Sequence, residues 1–315
     1  MFVSSIYYLL KPLIPRSVQL RLRRDLVRHK REKFADVWPI DERAGKTPDG
    51  WKGWPGQKRF ALVLTHDVDT VRGARRCNEL AELEERLGFR SSFNFVPKRY
   101  RVPAELLETL KDRGFEVGVH GLLHDGKYQF SRKLFRERAR KINEYLKEWG
   151  AVGFRAPSMF HNLEWFLDLD IEYDASTFDT DPFEPQPDGV GTIYPFWVEG
   201  SGARRGYVEL PYTLAQDFTL FILMQEKDDS VWRRKLDWLA EKGGMVLLNT
   251  HPDYMNFGDA KTGAEEYPAA RYEEFLIHLK QLGEDNYWHA LPRDLARWWV
   301  SGHRQAAGRT DGRRP

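Results

Sequence analysis

The chain has 315 residues, a formal net charge of +2, 41% hydrophobic and 14% aromatic residues, and a single cysteine, Cys77. That length can bury a sizeable core, as one large α/β domain or two ordinary ones. The near balance of charge excludes a strongly basic nucleic-acid binder, and the lone cysteine excludes a disulfide framework or a cysteine-rich zinc site.

The chain opens on an arm, 1–35, in which basic residues dominate from Lys11 to Lys33 and only Asp25 and Glu32 oppose them. Its start, MFVSSIYYLLKPLIP, does not read as a secretion signal. It has no charged n-region, Lys11 and Pro12 break the apolar run, and no small-residue cleavage site follows. No apolar run approaches the roughly 20 residues of a spanning helix. A cytoplasmic protein is expected. The arm is either a helix packed on the domain or a peripheral contact with anionic lipid on the inner face of the membrane. Residues 36–59, rich in Pro, Gly and Trp, read as an irregular approach segment, and the basic, polar stretch 302–315 reads as a disordered tail.

Between them, over 60–301, strands and helices alternate. FALVLT at 60–65 is the continuous apolar run of a strand buried on both faces. A helix is predicted over 72–87, then the strand RSSFNFVP, then a helix from Pro103, where proline suits the first turn. FEVGVH is the third strand, a long charged helix covers 131–148, and VGFRAP is the fourth strand. A short helix at 163–169 leads to IEYDAST, and GYVELP follows. A helix over 230–242, the apolar strand GMVLLNTH, a helix near 270–282, the strand YWHAL and a last helix from about 292 complete the series. This alternation predicts parallel strands with right-handed crossovers, closed into a distorted (β/α)7–8 barrel. An open doubly wound sheet is the runner-up. No G-x-G-x-x-G follows the first strand and no P-loop motif occurs, so nucleotide-binding readings lose their usual support.

In parallel α/β folds, function gathers where strands end. Here those ends carry Asp67 and Asp69, then His120 and His124, then Arg155, then Asp174, Asp179 and Asp181, and finally His251. Two histidines and a carboxylate are a common ligand set for catalytic zinc. His120 and His124 can converge on one ion, with Asp69 or Asp67 as the third ligand. The remaining carboxylate can then take a proton from the attacking water, while Arg155 pairs with it and lowers its pKa. His251, with an aspartate behind it, can protonate a leaving group. Such a set describes a hydrolase. His66 and His161 are expected to make local hydrogen bonds, and Trp232, Trp238, Trp298 and Trp299 to belong to the core.

These residues, in this order, resemble the polysaccharide deacetylases with a NodB homology domain, the fourth family of carbohydrate esterases, from about Phe60 to Leu291. THDVD resembles the family's T-F-D-D, which implies Asp67 as base and Asp69 as metal ligand, with Val68 an extra residue between them. HGLLH resembles H-[ST]-x-x-H and implies His120 and His124 as the other ligands, with Gly121 in place of the hydroxyl residue. RAPSM is similar to R-x-P-x-G through Arg155 and Pro157, with Met159 where glycine is usual. YDASTFDTD stands for the Asp-Trp motif and implies Asp179 as partner of the catalytic histidine, with Thr180 in place of tryptophan and Asp174 as a rival. LLNTH fits L-x-x-H through Leu248 and His251. The resemblance implies a distorted barrel, a divalent metal with zinc foremost, and removal of an N- or O-acetyl group from a glycan or amino sugar. The expected substrate is a glycan or a lipid-linked amino-sugar precursor of a surface polysaccharide. The rivals are another C–N hydrolase on the same scaffold, a deformylase or cyclic amidase, and an inactive glycan-binding or membrane-associated scaffold protein.

Overall fold

The computed structural model describes residues 15–125, 127, 131–186, 188–258 and 261–307. The arm's apolar start, 1–14, and the last eight residues, 308–315, lie outside them. Strands β1 (Phe60–Val68), β2 (Ser92–Phe95), β3 (Glu116–His120), β4 (Gly153–Arg155) and β5 (Tyr173–Asp174) lie side by side and parallel. β6 (Phe196–Val198) is antiparallel to β7 (Tyr207–Glu209), which continues the sheet parallel to β5. β8 (Met245–Thr250) pairs in parallel with β1. Isolated parallel bridges, Phe178 to Tyr212 and Leu214 to Leu248, carry the chain from β7 across to β8. The parallel sheet therefore curls round on itself as a distorted barrel. β9 (Met255–Asn256) and β10 (Tyr267–Pro268) form a separate pair, and β11 (Tyr287–His289) runs beside the start of β1.

β1 is the centre of this arrangement, and its sequence says why. All nine residues are buried, as a strand flanked on both edges and covered on both faces requires. Helices α1 (Arg16–Lys33), α2 (Val71–Leu87), α3 (Ala104–Asp112), α4 (Arg132–Trp149), α5 (Leu163–Phe166), α6 (Ser230–Lys242), α7 (Ala270–Leu282) and α8 (Pro292–Ala307) complete the fold. Thr70 and Ser131 cap α2 and α4 by accepting backbone N–H groups, which fixes where each helix starts after its strand or loop. Three short strands, β6, β9 and β10, escape a reading by periodicity because two or three residues are too few to show one. α8 runs to Ala307, into the stretch expected to be disordered. Trp298 and Trp299, packed on the core, anchor the helix that carries those residues.

Residues 36–59 are irregular, yet they belong to the same core. Trp54 is buried, its Nε1 donates to the Gly243 carbonyl at 2.9 Å, and its ring meets those of Trp51, Trp288 and Trp298. α1 also packs on the domain, burying Leu20 and Val27. Several of its basic residues turn inward. Arg24 donates to the carbonyls of Ile222 and Ala264, Lys30 donates to that of Pro182, and Arg16 and Arg31 pair with Glu265 and Glu226. Val18, Leu22 and Leu26 are left outward, with 44%, 55% and 55% of their surface exposed. Trp54→Ala is expected to cost about 3–5 kcal/mol in denaturant unfolding, the range for a large buried aromatic. A loss under about 1 kcal/mol would show the segment to be a linker after all.

Candidate active site

The ends of β1 and β3 bring three ligand atoms together. Asp67 is the penultimate residue of β1 and Asp69 follows two residues later, the period at which strand side chains share a face, so the extra Val68 keeps both carboxylates on one side. His120 ends β3. The chain then turns through Gly121 at φ 61° and His124 at φ 53°. A Cβ at Gly121 would lie 2.6 Å from the Pro157 ring, which is why no hydroxyl residue stands there. The turn delivers His124 Nε2 to 3.0 Å from Asp69 Oδ1, with His120 Nε2 at 3.4 Å.

These three residues offer atoms that all lie within 4.8 Å of one another, and they fit a metal ion. Asp69 Oδ1 is buried and accepts no hydrogen bond, so the imidazoles approach it without satisfying it. His120 Nδ1 lies 3.1 Å from the Arg155 carbonyl, to which it donates, and this leaves the Nε2 lone pair facing Asp69. One carboxylate and two imidazoles are a donor set suited to zinc. Burial pushes the Asp69 carboxyl up, but the His124 and His120 rings outweigh burial and hold it well below the usual range. The Asp253 carboxylate accepts the Asp69 N–H at 2.9 Å and the Thr70 hydroxyl, fixing the backbone that carries the ligand. A Cβ on Gly73 would come within 2.1 Å of Asp253 Oδ2, so glycine leaves room for this buttress.

Asp67 is set differently. The amides of Asn94 and Asn249 donate to its two oxygens at 3.1 and 2.9 Å, and Arg155 Nε lies 3.6 Å from Oδ1. Burial raises its pKa, but the neighbouring His120, Arg155 and His251 outweigh burial and lower it. The group is thus an ionised carboxylate held by donors on every side. Arg155, fully buried, is steadied by the Thr65 hydroxyl at 3.0 Å.

His251 follows β8 and shares one cleft with Asp67, Asp69, His120 and His124. The aspartate behind it is Asp217, which sequence reasoning missed. Asp217 Oδ1 lies 2.7 Å from His251 Nδ1, while Oδ2 accepts the His251 N–H at 2.8 Å and the Tyr267 hydroxyl at 3.0 Å. Asp179 does not fill that role. Its carboxylate pairs with Lys235 at 2.5 Å and lines a different hollow, beside Lys30 and Phe34. Asp181 lines that same hollow and accepts the Phe183 N–H. The third candidate, Asp174, ends β5, buried, and accepts the N–H and hydroxyl of Ser176. His66 and His161 make local bonds, to Thr250 and Glu84 and to the Met159 carbonyl. Met159 itself lines the cleft at φ 54°, a backbone that glycine adopts freely, in keeping with the glycine usual there.

Burial lowers the His251 pKa, but Asp217 first, then Asp69 and Asp67, outweigh it and push it up to about 10 in the metal-free protein. The folded value lies above the unfolded one near 6.5, so protonation stabilises the metal-free fold below about pH 6.5, and this contribution is lost as pH rises through about 10. NMR titration of the metal-free protein is expected to find the His251 ring still cationic at pH 8. Asp217→Asn should bring its midpoint down by more than one unit, and Asp179→Asn should leave it in place. A wild-type midpoint near 6.5 would contradict the pairing.

Solved structures share this architecture. A Mycobacterium smegmatis protein assigned to the polysaccharide deacetylases superposes with a TM-score of 0.63 at 20% identity, over 85% of this chain and 99% of that one. Puue allantoinase gives 0.63 at 17% identity over 84% and 98%. A Pseudomonas aeruginosa PAO1 protein, likewise assigned to the polysaccharide deacetylases, gives 0.60 at 18% over 79% and 94%. No family model matches the sequence, and no curated protein does. The likeness is one of fold. A curled parallel sheet with these motifs at its strand ends is the polysaccharide-deacetylase fold, the distorted barrel of the NodB type, and that is the fold of this chain.

Proposed function

We propose that the protein is a metal-dependent deacetylase of an acylated amino sugar or glycan, with Asp69, His120 and His124 holding the ion. The single observation that carries this reading is the opposition of a donor-held carboxylate, Asp67, and an acceptor-held imidazole, His251, in the one cleft that contains the three ligands. An ion there, zinc foremost, would polarise the acyl carbonyl and lower the pKa of water. Asp67, ionised and fixed by Asn94, Asn249 and Arg155, takes the proton of the attacking water as its oxygen bonds to the carbonyl carbon. His251, cationic through Asp217, delivers a proton to the nitrogen as the C–N bond breaks, so acetate and the free amine leave. Base and acid have opposite charge because one is ringed by donors and the other by acceptors. An ester would be cleaved by the same groups with an alcohol leaving. A cyclic amide would be opened likewise, and the likeness to an allantoinase makes that the rival to test.

Acetate release should be measured on N-acetylated sugars and glycans, with an N-formyl sugar and a cyclic ureide beside them. Activity on the acetylated sugars is expected to need zinc. Asp67→Asn and His251→Ala should keep the ion and lose about 10²–10⁴-fold in kcat, the usual weight of a general base or acid. Asp69→Asn and His124→Ala should lose the ion itself. Zinc lost from Asp67→Asn and kept by Asp69→Asn would exchange the two aspartates, and turnover of the ureide alone would replace the deacetylase reading with the cyclic-amidase one.

We further propose that α1 is a membrane contact that brings the enzyme to a lipid-linked substrate. Support comes from the outward stripe of Val18, Leu22 and Leu26, spaced at i, i+4 and i+8, with Arg21, Arg28 and Lys33 also exposed on the helix. No helix among the described residues is long and apolar enough to cross a membrane. The protein is expected to sediment with vesicles containing phosphatidylglycerol, and Leu22→Glu with Leu26→Glu should abolish that. Binding unchanged by both substitutions would remove the role of the arm.

A further inference from the structure

The same helix also forms part of the cleft. Its first turns contribute Arg16, Gln19 and Arg23 to the wall of the opening, about 670 Å³ in volume, at whose base the catalytic cluster lies. Arg72, from the first turn of α2, and Arg99, from the loop after β2, line the same opening. Four guanidiniums from three separate elements thus surround one mouth.

The ion pairs of Arg16 and Arg72 are ones that a ligand can displace. Arg16 pairs with Glu265, and Arg72 lies 3.8 Å from Glu266, with its own side chain 44% exposed. Exposed pairs of this kind contribute little stability and exchange readily with solvent. Arg99 is exposed and makes no side-chain ion pair among the described residues. Arg23 packs 4.7 Å from the Phe218 ring centre. The acids of this wall are already engaged. Glu265 answers Arg16, Asp253 holds Thr70 and the Asp69 backbone, and Glu184 accepts from Tyr212 and Gln216.

A neutral acylated sugar offers only hydroxyls and an amide, which hydrogen-bond without needing net charge. Arginine's planar fork of donors is matched instead to oxyanions, phosphate and carboxylate above all. We propose that Arg16, Arg23, Arg72 and Arg99 form an anion subsite at the mouth of the cleft, so that the amino sugar acted on carries a phosphate. This inference rests on the deacetylase reading for the sugar and on the arginines alone for the anion. It makes α1 a wall of the substrate site and not only a support.

The test uses zinc-loaded His251→Ala protein, so that ligands bind without turnover, and calorimetry. The probes are N-acetylglucosamine, its 1-phosphate and 6-phosphate in solution, and the 1-phosphate joined to a polyprenyl lipid in phosphatidylcholine vesicles. At least one phosphate ester should bind ten times more tightly than the neutral sugar, with an advantage that shrinks as salt rises. Arg23→Gln and Arg99→Gln should each cut that advantage at least threefold and leave the neutral sugar unchanged. Tight binding of the soluble esters supports the subsite with a free sugar phosphate as source. Tight binding only from vesicles supports it with the lipid as source. Equal binding of neutral and phosphorylated sugars would overturn it, as would a phosphate preference indifferent to both arginine changes, which would place the anion on the metal. Deacetylation of neutral sugars without any phosphate preference would remove the subsite and keep the enzyme. A phosphate preference without acetate release from any substrate by the wild type would keep the subsite and remove the deacetylase.

Discussion

Two carboxylates two residues apart, both withdrawn from water, cannot both stay ionised unless positive charge stands beside them. Asp67 and Asp69 are that pair, and the end of the barrel is organised around them. Arg155 and the amides of Asn94 and Asn249 answer Asp67, while the rings of His120 and His124 turn toward Asp69. Asp69 Oδ1 still lacks a hydrogen bond. A buried acceptor ordinarily has a partner, and one that faces two imidazole nitrogens suits a cation.

The remaining polar groups follow from that requirement. His251 faces two carboxylates and leans on a third, so it holds its proton, whereas Asp67 is crowded with donors and gives its proton up. One small volume thus contains an ionised carboxylate and a cationic imidazole, the states that the proposed hydrolysis needs. The surrounding barrel supplies rigidity: β1, buried at every position and paired on both edges, cannot shift without moving all of the strand ends together.

Much of this was legible in the residues. The barrel strands and the long helices follow from apolar runs and caps, and Asp67, Asp69, His120, His124, Arg155 and His251 all stand at strand ends and meet. What escaped is what only closure of the barrel creates. Asp217 follows a stretch, Tyr212 to Leu214, that becomes extended by bridging to Phe178 and to β8. The run GYVELP ends at Pro211, so in the sequence pattern the acid six residues on does not stand at a strand end. Asp179 lies in the stretch that resembles the Asp-Trp motif, but a buried Lys235 on α6 claims it. Asn94 and Asn249 lie inside or at the end of apolar strands, where an amide gives no periodic signal. The arm could be read either as a packed helix or as a surface contact, since its charges alone do not say which face turns inward.

That inward turn joins a basic, partly apolar helix to the candidate cleft, and through it the proposed chemistry to the proposed location of the substrate. All of it depends on the ion. X-ray absorption at the zinc edge of the zinc-loaded protein tests this most directly. The account predicts one zinc per chain with two imidazoles and one carboxylate at about 2.0–2.2 Å and water completing the shell. Zinc bound through a single imidazole, or none retained after dialysis, would contradict it.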